Sequence, residues 1–238
     1  MAIFDSISRV TAYYSRHGFG ATIRRAGLAA QRALFSNRML VFYCDLGSQP
    51  ARAVTIPSTM RVDRLTKMTE LASQDFEEIT SFWNPKKACR NVTERFDKGA
   101  TLWLVKSEEK VAGYGWTIQG RTIAEYYFPL GQKDVQLFDF YVFPKFRGRA
   151  LHWLLTAHIL QAIRADGASR AFADTGEWNQ AQLSSFRMTQ FRPLGSVRAF
   201  TFFGYTWVSW TKPKPLEEKQ LAAEAKHKVP TTVNSLER

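Results

Sequence analysis

The sequence predicts an α/β fold, in which a mixed, mostly antiparallel sheet is sandwiched by helices and preceded by an N-terminal helical extension. Three observations support this. The segment Val135–Val142 is almost continuously apolar and aromatic, as expected of a strand buried on both faces. Residues 151–163 repeat apolar side chains at helical spacing, and strand-like segments flank the pair on both sides. The 238 residues, 45% of them hydrophobic, suffice for one packed core with extensions.

The chain opens with a basic segment, residues 1–48, which we interpret as an amphipathic helical extension. Within residues 1–40, six arginines and a single acid, Asp5, are interspersed with apolar residues at near-helical spacing, and Gly18 and Gly20 predict a break between two helices. Three interpretations stay open: packing on the protein's own core, peripheral contact with an anionic membrane surface, or nucleic-acid binding. Nucleic acid ranks last, because no nucleic-acid motif accompanies the arginines. Such termini also resemble organelle transit peptides.

The next elements lead up to the apolar run. In chain order we predict a strand at Met60–Leu65, two helical stretches within 66–83, a loop at Asn84–Pro85, a helix over 90–98 that ends at Gly99, and a hairpin of strands Thr101–Lys106 and Val111–Ile118. The segment Glu125–Phe128 fits either a further short strand or a loop.

The remaining elements follow the apolar run and close the domain. They are a helix from Leu151 to near Gly167, a short strand at Arg170–Ala173, a helix at Asn179–Thr189 stopped by Pro193 and Gly195, and paired strands at Val197–Phe203 and Tyr205–Trp210. The folded domain is thus predicted to span 55–211. Residues 212–238 read as a flexible charged tail, because their composition becomes polar and proline-dotted.

Charge and cysteine content narrow the classes of ligand. The formal net charge of +12 favours anionic partners such as nucleic acid, acidic lipid or a ligand that carries several phosphates. The two cysteines, Cys44 and Cys89, form neither a disulfide framework nor a metal-ligand spacing, so we expect no bound metal and a cytoplasmic setting. No apolar run approaches the roughly 18 residues that a membrane-spanning helix needs.

The junction between the apolar strand and the long helix carries the clearest chemical signal. Here Arg147, Gly148 and Arg149 come directly before a helix start. A glycine at this place lets backbone N–H groups approach a ligand, and the first-turn N–H groups of a helix favour a diphosphate. The two guanidinium groups add attraction for phosphate oxygens.

Together with its flanks, this junction resembles the coenzyme A motif of the GNAT superfamily of N-acetyltransferases. The family's core pattern is Arg/Gln-x-x-Gly-x-Gly/Ala, and the chain has Lys145, Gly148 and Ala150 at its three defined positions. A second block, Asn179–Phe191, resembles the family's later helix, with Gln190 in the position of a usual glycine. The resemblance covers about residues 58–210.

The resemblance implies acetyl-coenzyme A as co-substrate and assigns residues to it. Backbone groups of Tyr141 and Val142 would hold the pantetheine arm. The diphosphate would lie on a run of five residues, namely Arg147, Gly148, Arg149, Ala150 and Leu151. On the later helix, Asn179 and Phe186 occupy further coenzyme-contacting positions.

Direct transfer to an amine requires a base and a proton donor for the thiolate. Asp139 is the first candidate base, because it is the charged residue inside an otherwise apolar strand and burial should raise its pKa. Glu125 is the second. The family's usual tyrosine acid is replaced by Phe186. The proton donors that remain are Tyr141, Tyr205, Ser185 or water.

The expected function is therefore transfer of an acetyl group from acetyl-coenzyme A to an amine by direct attack. The aromatic run Tyr126–Pro129 favours a cyclic acceptor such as an amino sugar or polysaccharide precursor, while a small amine, a peptide N-terminus and a lysine stay open. Two rival functions are a non-catalytic module that binds coenzyme A and, last, a nucleic-acid-binding protein. No sequence pattern indicates an oligomeric state.

Overall fold

A computed structural model describes residues 38–47, 54–82, 84–124, 126–202 and 205–211, with the single residues 20 and 23. Most of the predicted extension and the whole predicted tail thus lie outside the described residues. By its contacts the chain divides into two compact units. One comprises Met39–Val197 with Trp210–Arg238, and the other comprises Met1–Arg38 with Arg198–Ser209. In the latter, the described residues are helical at 20 and 23 and extended at 198–202 and 205–209.

Eight strands and four α-helices make up the described part of the chain. The strands are β1 Met39–Asp45, β2 Met60–Leu65, β3 Thr101–Ser107, β4 Lys110–Gln119, β5 Asp134–Val142, β6 Arg170–Gly176, β7 Arg192–Phe202 and β8 Tyr205–Thr211. The helices are α1 Ser73–Ser81, α2 Pro85–Asp97, α3 Leu151–Ala165 and α4 Gln180–Met188. Single 3₁₀ turns lie at Met68–Glu70 and Pro144–Phe146. No helix in these ranges combines the length and the apolar character needed to cross a bilayer.

The strands form one sheet in the order β2-β3-β4-β5-β6-β1-β7-β8. Strands β5 and β6 run parallel, joined by a crossover through α3. The pairs β2–β3, β3–β4, β4–β5, β6–β1 and β1–β7 are antiparallel. The predicted mixed, mostly antiparallel sheet with helices is confirmed.

Each face of the sheet has its own apolar cluster. One cluster joins α3 and α4 to the sheet and includes Leu137, Leu155 and Phe186. The other joins α1 and α2 to the opposite face and includes Phe96 and Trp116. We call these the α3/α4 face and the α1/α2 face. Because side chains alternate along a strand, each residue of β5 and β6 can be placed on one face.

Helix α2 begins five residues earlier than the sequence predicted. Asn84 is its N-cap, and the side chain of Asn84 accepts a hydrogen bond of 3.2 Å from the backbone N–H of Lys87. Proline is well suited to the first turn of a helix, since its missing N–H has no intrahelical partner there. The pair Asn84–Pro85 is therefore a helix start, and its prediction as a loop was wrong.

The structure also differs from the sequence prediction at strands β1 and β7. Residues 39–45 form β1, whose two edges pair with β6 and β7, so the prediction that they belong to the helical extension is wrong. The helix α4 ends at Met188, well before Pro193 and Gly195, which lie inside β7. Pro193 is tolerated there because the β1–β7 register shifts beside it, between Val41 and Phe42. The described residues 126–128 form no strand.

An ion pair with little exposure fastens α1 to the sheet. Asp75 of α1 lies 2.5 Å from Lys106 Nζ of β3, and each side chain is only 9% exposed. Removing one partner of such a pair leaves a charge with neither water nor a counter-ion.

We therefore expect Asp75→Ala to lower the free energy of unfolding by about 3 kcal/mol, because the Lys106 ammonium loses its buried partner. Urea denaturation measures this. As a matched control, Asp63→Ala removes an acid from the exposed Arg61 pair and should cost less than about 1 kcal/mol. Equal losses of unfolding free energy in the two variants would show that the buried pair stabilises the fold no more than the exposed pair does.

Candidate active site

The pairing between β5 and β6 stops early and opens the sheet. Only four residue pairs join the two strands, from Asp134–Arg170 to Leu137–Ala173. On its other side, β5 stays paired with β4 as far as Val142. Residues 138–142 of β5 therefore present one backbone edge that no described strand covers. An extended ligand can hydrogen-bond to such an edge as an added strand does.

A β-bulge marks the point where β5 leaves β6. The β4–β5 register shifts between Tyr114 and Trp116, so that β5 carries one extra residue, and Asp139 adopts a left-handed φ of 48°. Gly115 of β4 makes the room. A Cβ at Gly115 would lie 2.6 Å from the ring of Phe140, closer than a real contact allows. The absence of a side chain there therefore permits the bulge.

The bulge is fastened from the α1/α2 face by Arg95 of α2. The Arg95 guanidinium donates to Asp139 Oδ2 at 2.5 Å and lies over the rings of Trp116 and Phe138, at 5.2 and 5.4 Å from their centroids. The Asp139 side chain is 42% exposed. The expectation that Asp139 would be buried was therefore wrong, because the bulge turns its side chain outward onto an arginine. Its catalytic role stays a prediction.

The loop after β5 turns through two left-handed residues just before α3 begins. Gly148 has a φ of 79° and Ala150 a φ of 54°, so both are left-handed, and no side chain caps the helix. The N-cap residue Ala150 therefore offers no side-chain acceptor to the first-turn N–H groups of α3. Arg147 is held against the cleft, because its Nε donates to the Val142 carbonyl at 3.1 Å.

These features surround an open cleft of about 650 Å³ between the end of β5, the loop, the start of α3 and one side of α4. Of the nine residues predicted to bind the coenzyme, all line this cleft except Arg149 and Phe186. The Arg149 guanidinium lies over Phe146, 5.8 Å from the ring centroid. Phe186 is 2% exposed and packs against Phe42 and Phe191, which places its ring in the core, and its contact with the coenzyme stays a prediction.

The other predicted catalytic residues are spread around the cleft. Tyr141 lines it, and its ring stacks on Phe82 at 4.2 Å between centroids. Glu125 and the side chain of Tyr205 lie outside the described residues. In the described ranges, no group of three or more His, Cys, Asp or Glu side chains is arranged to hold a metal ion.

The cleft wall also carries a polar pair that the sequence did not single out as a unit. His152 Nδ1 lies 2.6 Å from Ser185 Oγ, which joins α3 to α4. The other ring nitrogen, Nε2, is buried and has no hydrogen-bond partner in the described part of the chain. Burial lowers the pKa of His152 to about 4, so the imidazole is neutral at physiological pH.

A family model for the GNAT acetyltransferases matches residues 65–189, just over half of the chain and including the whole cleft loop. The chain belongs to the GNAT acetyltransferase family. Among curated proteins, none matches its sequence significantly.

Solved structures share the GNAT fold with the chain at low identity. A tandem GNAT protein from the clavulanic acid biosynthesis pathway is 15% identical with a TM-score of 0.54, over 79% of this chain and 59% of that one. A GNAT protein from Novosphingobium aromaticivorans DSM 12444 is 12% identical with a TM-score of 0.45, over 66% and 60%. The chain thus spans about 60% of the length of these two relatives.

We expect Gly115→Ala to lower the free energy of unfolding by about 1–3 kcal/mol, because the new methyl group must displace the Phe140 ring or flatten the bulge. Urea denaturation measures the loss. When Phe140 is already replaced by alanine, adding Gly115→Ala should lower the free energy of unfolding by less than it does beside the intact Phe140 ring. A Gly115→Ala variant as stable as the wild type would contradict the account of the bulge.

The buried His152 should make stability depend on pH. Its pKa is about 4 in the folded protein and about 6.5 in the unfolded chain, so the unfolded chain binds the proton more readily. Above pH 6.5 the imidazole is neutral in both states and costs no stability. As the pH falls from 6.5 to 4, its protonation in the unfolded chain lowers the free energy of unfolding by about 3 kcal/mol. His152→Gln should remove this loss in denaturation experiments at several pH values.

As a control for that measurement, the variant His158→Gln removes the other described histidine whose pKa is lowered by burial. An unchanged pH dependence in His152→Gln would show that the imidazole of His152 is accessible to protons in the folded protein.

Proposed function

We propose that the protein transfers an acetyl group from acetyl-coenzyme A to an amine by direct attack. The observation that carries this proposal is the cleft, which combines the uncovered edge of β5 with the uncapped start of α3. Bound there, acetyl-coenzyme A supplies a thioester carbonyl that an amine can attack.

The residues present fit the coenzyme in shape and charge. Backbone groups of Tyr141 and Val142, on the uncovered edge, would hold the pantetheine arm. The backbone from Arg147 to Leu151 would hold the diphosphate, because helix first-turn N–H groups and a guanidinium both favour phosphate. The two left-handed residues, Gly148 and Ala150, turn the chain so that it reaches the helix start without a capping side chain.

The acceptor would approach from the α1/α2 face, where Asp139 marks the bulge. Asp139, Glu125 and Tyr141 remain proposed participants in proton transfer. Ser185 is a further proposed proton donor to the thiolate, because it lines the cleft and is hydrogen-bonded to His152.

An amino sugar or polysaccharide precursor is the narrower form of the proposal. It rests on the aromatic segment beside the sheet, where Phe128 packs on Phe172 and Trp210 with centroids 5.2 and 5.8 Å apart. These contacts hold the neighbouring tyrosines in place, and ordered aromatic rings are surfaces on which sugar rings pack.

The burial of Phe186 favours one alternative function. Because the family's usual tyrosine hydroxyl is missing and the ring points into the core, the cleft can also serve a non-catalytic module that binds coenzyme A. Turnover of acetyl-coenzyme A with an amine distinguishes the two.

Isothermal titration calorimetry with acetyl-coenzyme A tests the proposal. We expect micromolar binding to the wild type and at least a tenfold loss in Arg147→Glu/Gly148→Asp, which brings two acids to the phosphate-binding loop and strains the left-handed Gly148 position. Lys110→Glu, a charge reversal at the exposed start of β4, controls for reversing a charge away from the cleft and should bind normally. A wild type that does not bind would contradict the proposal.

A further inference from the structure

Asp174 of β6 lies at the point where the sheet opens, and no sequence pattern had drawn attention to it. The last residue of β6 that pairs with β5 is Ala173, and Asp174 is the next. The neighbouring Thr175 faces α4, because its hydroxyl donates to Gln182 at 2.9 Å. Since side chains alternate along a strand, Asp174 faces the opposite, α1/α2 side. It therefore sits beside the opening on the side away from the coenzyme loop.

The surroundings of Asp174 are polar, enclosed and incompletely hydrogen-bonded. Tyr127 Oη donates to Asp174 Oδ2 at 3.4 Å, a long bond. Gln136 Oε1 is buried without a hydrogen-bond partner in the described ranges, and the buried Tyr126 hydroxyl interacts with Asp174 without forming a well-aligned hydrogen bond. Gln136 of β5 pairs with Phe172, on the same face as Asp174. Native proteins rarely leave buried polar atoms without well-aligned hydrogen bonds at one place, so this group points to a ligand.

The chemistry of the group suits a protonated primary amine. A carboxylate attracts the ammonium, aromatic faces such as those of Tyr126 and Tyr127 stabilise a cation beside them, and Gln136 Oε1 accepts a hydrogen bond. Burial raises the pKa of Asp174 above the ordinary range of aspartate, and interactions with the Tyr127 and Tyr126 hydroxyls and the Gln136 side chain offset the rise only in part. A carboxylate of raised basicity is a better proton acceptor near neutral pH.

We propose that Asp174 binds the ammonium group of the acceptor and removes its proton, with Tyr126, Tyr127 and Gln136 completing the acceptor site. The inference rests on the proposed acetyl transfer and names the residues that recognise its second substrate. The substrate is a primary amine carried by a ring, which packs against the two tyrosines.

Acetyl transfer moves two protons and one acyl group. The ammonium gives one proton to the Asp174 carboxylate, which later releases it to water. The amine nitrogen forms a bond to the acetyl carbonyl carbon, and the carbon–sulfur bond breaks with its electron pair on sulfur. The second proton lost by the nitrogen ends on that sulfur, so that the products are an amide and the free thiol.

The titratable groups that face Asp174 set the expected pH dependence. These are the Tyr126 and Tyr127 hydroxyls, whose pKa values burial raises, so they stay neutral over the range tested. On the neighbouring strands, the neutral Gln136 of β5 faces Asp174, and the β1 residue that pairs with Asp174 is the apolar Val41. Asp174 must be ionised to accept a proton, so kcat/KM should fall as the pH drops through its raised pKa.

The test uses the full chain with glucosamine and 2-phenylethylamine as probe amines. In Asp174→Asn, a variant of nearly identical shape, we expect kcat to fall at least about 100-fold and the acid limb of the pH profile to disappear. Calorimetry of 2-phenylethylamine with the coenzyme A-saturated protein should show at least tenfold weaker binding. Tyr127→Phe, which removes one hydroxyl and keeps the ring, should move the acid limb to higher pH, because Asp174 loses a hydrogen bond that favours its charged form.

The outcomes separate this inference from the proposed function. Asp174→Asn should bind acetyl-coenzyme A like the wild type, and the control Asp63→Asn, on the distant edge strand β2, should leave every measurement unchanged. A wild type that binds acetyl-coenzyme A but acetylates neither amine, or an Asp174→Asn variant with normal kcat and pH profile, overturns the inference. Failure of the wild type to bind acetyl-coenzyme A overturns the proposed function instead.

Discussion

The structure depends on the early separation of two parallel strands. Strands β5 and β6 pair over four residues and then part, and everything that makes the protein a candidate enzyme lies along the gap. The cleft occupies one side, where β5 keeps an uncovered edge next to α3 and α4. Asp174 and the bulge at Asp139 occupy the other. A sheet that stayed paired to Val142 would have neither a cleft nor an approach to it.

The separation is maintained by small residues and by one arginine. Gly115 leaves room for Phe140, and Gly113 allows the Tyr141 carbonyl within 2.7 Å of where a Cβ would be. Arg95 then holds Asp139 from the α2 side while its guanidinium lies over two aromatic rings. The ion pair and the stacking act on the residue with the left-handed φ, so the local strain of the bulge is offset by contacts from another element.

The sequence predicted the elements that carry strong local patterns. The apolar run of β5, the helical repeat of α3 and the loop around Gly148 were all placed correctly, because burial on two faces and helical spacing are visible in the chain itself. Strand β1 was missed, since its partners lie more than 100 residues later and an arginine-rich segment precedes it. Asp139 was misjudged because its exposure follows from the bulge, which depends on Gly115 and Phe140 together. Asp174 and His152 resemble ordinary residues in sequence and become distinctive only through burial.

The gap between β5 and β6 is the proposed coenzyme site. A crystal structure of the protein with coenzyme A tests it most directly. We expect the diphosphate to accept hydrogen bonds from backbone N–H groups between Arg147 and Leu151, and the pantetheine arm to run along the uncovered edge at Tyr141 and Val142. A coenzyme bound elsewhere, or a β5–β6 ladder that continues to Val142 with no cleft, would contradict it.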